Sequence, residues 1–118
     1  MRHQESSLQI ACVRWFKRYA YPDLAPLLYA VPNGGYRNLI TAKVMKAEGA
    51  TPGVADLILF VPNRDHHALC IEMKTPTGRQ SDHQKAWQEA VTRQGYKYII
   101  VRSADEFIHE VTDYLKNR

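Results

Sequence analysis

Apolar residues recur along this chain with two periods, and the switches between them mark its elements. Over residues 6–19, Leu8, Cys12, Trp15, Phe16 and Tyr19 fall on one face at helical spacing, while Arg14, Lys17 and Arg18 lie toward the other. That pattern predicts an amphipathic helix. Pro22 and Pro26 then interrupt the chain. Residues 27–31 form a short apolar run that suits a strand, and Pro32-Asn33-Gly34-Gly35 is a turn signal. Residues 41–48 read as a second helix, with Gly49 placed to cap its C-terminus. After the turn at Thr51-Pro52-Gly53, residues 56–61 (DLILFV) read as a buried strand. A polar turn leads to residues 68–75 (ALCIEMKT), where Leu69, Ile71 and Met73 share one face and Cys70, Glu72 and Lys74 the other. Pro76 and Gly78 end this strand. Ser81 opens a third helix running to Gln94, and residues 97–102 form a further strand. Ser103 and Glu106 have capping-box spacing for a last helix ending near Lys116.

The order helix, strand, helix, strand, strand, helix, strand, helix implies one mixed sheet flanked by helices, an α/β architecture. A hairpin-sized turn joins the two central strands, and the last strand follows a helix. At 118 residues the chain is sized for a single domain, 1–118, and 45% hydrophobic residues suffice for one core. No internal repeat, linker or low-complexity segment interrupts it.

Charge adds a modest bias. A net charge of +4 suits a polyanionic partner without establishing one. Cys12 and Cys70 lie far apart in sequence, with no CxxC pair and no histidine at zinc spacing, so both are expected to be buried thiols in a reducing, cytoplasmic setting. The N-terminus has no apolar stretch of the signal-peptide kind, and no apolar run reaches membrane-spanning length. No G-x-x-x-x-G-K-[ST] is present, so no nucleotide cofactor is expected. His66, His67 and His83 are poorly placed to converge on zinc, and Trp15 and Trp87 sit at core spacing.

The polar residues inside the apolar strands carry the chemistry. Glu72 and Lys74 lie on one strand face, roughly 6 to 7 Å apart. If the two central strands form a hairpin, Asp56 approaches the same face. Two carboxylates on rigid strands with a cation beside them are the minimal site for a hard divalent metal. The plainer reading is a solvated ion pair between Glu72 and Lys74. The apolar neighbours count against it, since charges are costly to bury without purpose.

Asp56 followed by Glu72-Met73-Lys74 resembles the PD-(D/E)xK signature of restriction-endonuclease-like nucleases. The surrounding text resembles one branch more closely, the virus-type replication-repair nuclease domain, VRR-NUC. The matching blocks are Pro32-Asn33-Gly34-Gly35, Lys46-Ala47-Glu48-Gly49, Pro52-Gly53-Val54-Ala55-Asp56-Leu57, Ile71-Glu72-Met73-Lys74, Gly78-Arg79-Gln80-Ser81, Gln84 with Trp87, and Gly95-Tyr96. They recur in this order over nearly the whole chain. Ala55 departs from the general signature, which prefers proline there; the position shapes a turn and is not a ligand.

The resemblance implies a restriction-endonuclease-like fold and a Mg2+-dependent deoxyribonuclease, with Mn2+ able to substitute. Asp56 and Glu72 become metal ligands and Lys74 the catalytic lysine. Glu5 is implied as a further acidic member of the site, although an acid near a helix N-terminus is also favoured by the macrodipole. The Met73 carbonyl is a possible additional ligand. Gln84 is pointed into the site by the family pattern, while Ser81-Asp82-His83-Gln84 reads equally as a capping box. Asn33, Gly34 and Gly35 supply amides suited to a phosphate or form an ordinary tight turn. Arg37, Lys43, Lys46, Arg79 and Lys85 are candidate phosphate contacts or solvated surface charges. The expected substrate is branched DNA, cut by a homodimer in the manner of a Holliday-junction resolvase. A monomeric flap or other structure-specific nuclease, a sequence-reading restriction-like enzyme, and a non-catalytic DNA-binding module are the alternatives.

Overall fold

The computed structural model describes residues 2–32 and 39–118. Helix α1 (Arg2–Arg14) runs into a π-helical stretch, Trp15–Ala20, and a 3-10 turn, Pro22–Leu27. Strand β1 (Leu28–Ala30), helix α2 (Leu39–Ala47), strands β2 (Leu57–Leu59) and β3 (Leu69–Met73), helix α3 (Asp82–Arg93), strand β4 (Lys97–Val101) and helix α4 (Ala104–Lys116) follow. The expected order and architecture hold, with shorter strands.

The four strands lie in sequence order, β1-β2-β3-β4. The first three form an antiparallel meander, and β4 joins β3 in parallel through the α3 crossover. A parallel pair needs such a crossover, whereas an antiparallel pair can close through a loop, as β2 and β3 do; the β1–β2 connection carries α2. The residues that DLILFV contributes beyond β2 still hydrogen-bond, since Phe60 N donates to Leu27 O and Val31 N to Asp56 O.

One sheet face carries the core. Leu28, Leu57, Leu59, Leu69, Ile71, Met73 and Val101 pack there against Cys12 and Phe16 of the N-terminal helix and Phe107, Val111 and Leu115 of α4. The other face carries Ile58, Cys70 and Tyr98 in one cross-strand row with Tyr29. Helix α3 covers its β4 end, where the rings of Trp87 and Tyr98 lie 6.0 Å apart. At the β1 end Tyr29 and Phe60 remain 50% and 52% exposed, their rings 6.4 Å apart.

Two local expectations are corrected. Tyr19 is not on the core face of the first helix but 71% exposed. The π-helical stretch shifts the hydrogen bonding to i→i+5, as in the 2.8 Å bond from Tyr21 N to Phe16 O, so α-helical spacing no longer applies past Trp15. Tyr21 takes the inward place instead, its ring 5.2 Å from that of Phe16. At α4, Ser103 accepts from Glu106 N, but Glu106 Oε1 accepts at 2.6 Å from Arg102 N, so the box closes one residue early. Gly49, at φ +111°, closes α2 as expected: its own N–H donates to Lys46 O and that of Ala50 to Met45 O, a Schellman pair.

A candidate metal centre at the end of the sheet

The hairpin register pairs Leu57 with Ile71, and one step further sets Asp56 opposite Glu72. Residues opposite each other in an antiparallel pair share a face. Both carboxylates therefore come from the β2–β3 end on the face that α3 covers. Asp56 Oδ2 accepts a 2.7 Å hydrogen bond from Met73 N, which ties the two strands together beside Glu72.

Glu72 is fully buried, with 0% exposure, and Lys74 nearly so at 9%. The two oxygens of Glu72 differ. Oε1 accepts from Tyr98 Oη at 2.5 Å and from Gln80 Nε2 at 2.9 Å. Among the described residues Oε2 has no hydrogen-bond donor, and it lies 3.4 Å from Lys74 Nζ. A buried carboxylate oxygen without a donor is costly unless a cation satisfies it. Burial foremost, and then the Glu72 carboxylate, push the Tyr98 phenol far above its ordinary pKa, with Asp56 adding to the effect. The phenol therefore stays a donor, and both carboxylates lie within its electrostatic reach.

The loop between β3 and α3 is fixed from below. Arg102 Nη1 donates to Thr75 O at 2.7 Å and Gly78 O at 2.8 Å. Lys74 N donates to Val101 O at 2.9 Å, carrying the β3–β4 ladder past the formal strand end. Helix α3 begins against Gly53, where a Cβ would meet His83 O at 2.3 Å, so the turn before Asp56 and the start of α3 are in close contact.

The capping box at Ser81 is present: Ser81 Oγ accepts from Gln84 N at 3.1 Å, and Gln84 Oε1 accepts from Ser81 N at 2.8 Å. The glutamine that hydrogen-bonds Glu72 is instead Gln80. Glu5 is half-buried on α1. Among the described residues, no group of three or more His, Cys, Asp and Glu side chains is arranged to hold a metal ion. Lys43 and Lys46 are exposed on α2, and Arg79 and Lys85 are exposed around the start of α3, flanking Gln80 and Gln84. Asn33, Gly34, Gly35 and Arg37 lie outside the described residues.

Sequence reasoning missed Gln80, Tyr98 and Gln88. Tyr98 belongs to an apolar strand pattern and is recognisable only once the parallel register lays β4 beside β3. Gln80 sits in a polar loop with no periodic signal.

Asp56, Glu72 and the buried Lys74 thus stand together at one end of a mixed sheet flanked by helices. The VRR-NUC domain model matches residues 3–105, and the chain belongs to the VRR-NUC family. A solved structure described as a VRR_NUC domain protein shares the fold with a TM-score of 0.84 at 24% identity, covering 97% of this chain and 89% of its own. No curated protein matches the chain. Among the described residues, no helix is long and apolar enough to cross a membrane.

Proposed function

We propose that this chain is a Mg2+-dependent endonuclease of the PD-(D/E)xK type that hydrolyses phosphodiester bonds in branched DNA as a homodimer. The observation that carries the reading is Glu72, wholly buried, with Oε2 left without a donor among the described residues and beside Lys74. Family membership supports nuclease chemistry. The donor set fits a hard cation, since Mg2+ takes one or two carboxylates and leaves its remaining positions to water and phosphate.

Asp56 and Glu72 would hold the ion, with the Met73 carbonyl and Glu5 as further candidate ligands. When bound, Mg2+, or Mn2+ in its place, supplies positive charge against the phosphoryl oxygens and makes water more acidic. Lys74 balances Glu72 and presents an ammonium to the attacking water and the developing phosphorane charge. Gln84 holds the start of α3 in place through its cap. Arg79 and Lys85, exposed and adjacent in sequence to Gln80 and Gln84, would meet phosphates near the site, and Lys43 and Lys46 would extend the basic surface. Asn33, Gly34, Gly35 and Arg37 complete the proposed phosphate contacts.

One site cuts one strand, so paired cuts across a four-way junction call for two chains about a two-fold axis. The exposed Tyr29 and Phe60 at the β1 edge offer an apolar surface for a second copy. Cleavage of labelled duplex, flap and four-way junction DNA at fixed salt, with and without Mg2+, tests the reading alongside light scattering. Metal-dependent paired cuts by a dimer are expected. A monomer that prefers flaps overturns the junction and dimer parts, and metal-independent or absent cleavage overturns the whole.

A further inference from the structure

Glu72 commits one oxygen and leaves the other open. A carboxylate oxygen offers two lone pairs, and both on Oε1 are taken, one by Tyr98 Oη and one by Gln80 Nε2. The clamp is itself braced. Gln80 Nε2 also donates to Gln88 Oε1 at 2.8 Å, which fixes the direction of the amide, and Trp87 packs on the Tyr98 ring. The β3–α3 loop and β4 thus converge on Oε1 with α3 bracing both, while among the described residues only the Lys74 ammonium, 3.4 Å away, attends Oε2.

We propose that Tyr98 and Gln80 are positioning residues that restrict Glu72 to one free oxygen and so make the site select a small octahedral cation, Mg2+ or Mn2+, over Ca2+. The inference rests on the reading of Asp56 and Glu72 as a divalent-cation site. Ca2+ gathers about 6–8 oxygens at roughly 2.3–2.6 Å and readily takes carboxylates through both oxygens, whereas Mg2+ demands near-ideal octahedral geometry at about 2.0–2.1 Å. A carboxylate whose Oε1 is already spoken for is a poor two-oxygen ligand. It remains a good one-oxygen ligand, and its orientation is set before the ion arrives.

The test is titration calorimetry of the full chain, without DNA, with Mn2+ and with Ca2+, on the wild type, Tyr98→Phe, Gln80→Met and Glu72→Gln, with thermal unfolding of each alongside. Glu72→Gln is expected to abolish Mn2+ binding. Tyr98→Phe and Gln80→Met are each expected to lower the ratio of Mn2+ to Ca2+ affinity by about tenfold, the scale of one hydrogen bond to a charged oxygen. A structural role alone would weaken both ions together, and an unchanged ratio overturns the clamp while leaving the cation site standing. Mn2+ binding that is indifferent to Glu72→Gln overturns the cation reading and the clamp with it. Gln80 lies half-buried in a loop, so Gln80→Met keeps the test available if Tyr98→Phe unfolds.

Discussion

The Asp56 carboxylate is held by the main chain of the residue that follows Glu72, through the 2.7 Å hydrogen bond from Met73 N to Oδ2. An asparagine keeps an oxygen for that bond but loses the charge. Asp56→Asn is therefore expected to fold with little loss of stability and to cut DNA more than about a hundredfold more slowly, since even outer partners of metal ligands can cost that much. Urea unfolding beside a Mg2+-dependent cleavage assay checks both halves, and near wild-type cutting would remove Asp56 from the site.

Lys74→Ala leaves a fully buried carboxylate without its nearby cation. Breaking such a pair costs about 3 kcal/mol or more, which for a domain of this size lowers Tm by roughly 10 °C. Millimolar Mn2+ is expected to restore more of the Tm in this variant than it adds to the wild type, because the ion replaces the missing charge. Equal shifts in the two proteins would separate Lys74 from the cation site.

Gln84 serves the α3 cap through its side-chain oxygen. Gln84→Ala is expected to cost about 1 kcal/mol of stability, and cleavage measured well below Tm is expected to fall by no more than about threefold. A hundredfold loss in a folded Gln84→Ala protein would instead give Gln84 a direct part in the reaction.

Gly53 combines φ +85° with a backbone carbonyl 2.3 Å from where a Cβ would sit. Gly53→Ala is expected to destabilise by more than about 2 kcal/mol, the left-handed conformation and the clash adding together. Because the displaced element is the start of α3, Trp87 fluorescence should change in the native baseline as well as at the midpoint.

Burial pushes both the Cys12 and the Cys70 thiol from an ordinary 9.0 up to about 11. In the folded protein they are expected to react with thiol reagents at pH 8 only as fast as the chain opens. An acid whose pKa is raised on folding contributes its full stability below the unfolded value and loses it as pH rises. Stability should therefore decline between pH 9 and about 11, a window read by urea midpoints at several pH values.

The alternation in residues 68–75 made Glu72 and Lys74 legible as neighbours on one face, and the short turn after DLILFV brought Asp56 to the same end. Those three needed only local periodicity. Tyr98 and Gln80 did not declare themselves, because their role depends on a non-local parallel register and on a loop conformation that Arg102 fixes from the next element. Tyr19 misled for the opposite reason: its spacing fits an α-helix, and the chain departs from α-helical geometry four residues before it. Gln84 had two readings in the sequence; the cap is present, and the glutamine on Glu72 is Gln80, in the loop just before that cap.

The β2–β3 pair closes through the loop 60–68 alone, whereas β1 reaches β2 only across the segment that carries α2, and β4 reaches β3 only across the α3 crossover. Contacts that span more chain close later and more slowly. Glu72 sits on the early side of that divide, and Tyr98, one of its two partners at Oε1, on the late side. A nascent or partly melted chain that has formed the β2–β3 hairpin alone therefore displays a Glu72 carboxylate without its Tyr98 partner. The direction of the Glu72 carboxylate is complete only once β4 has docked, so that under the proposed function arrival at the native topology and acquisition of an ordered cation site are one event.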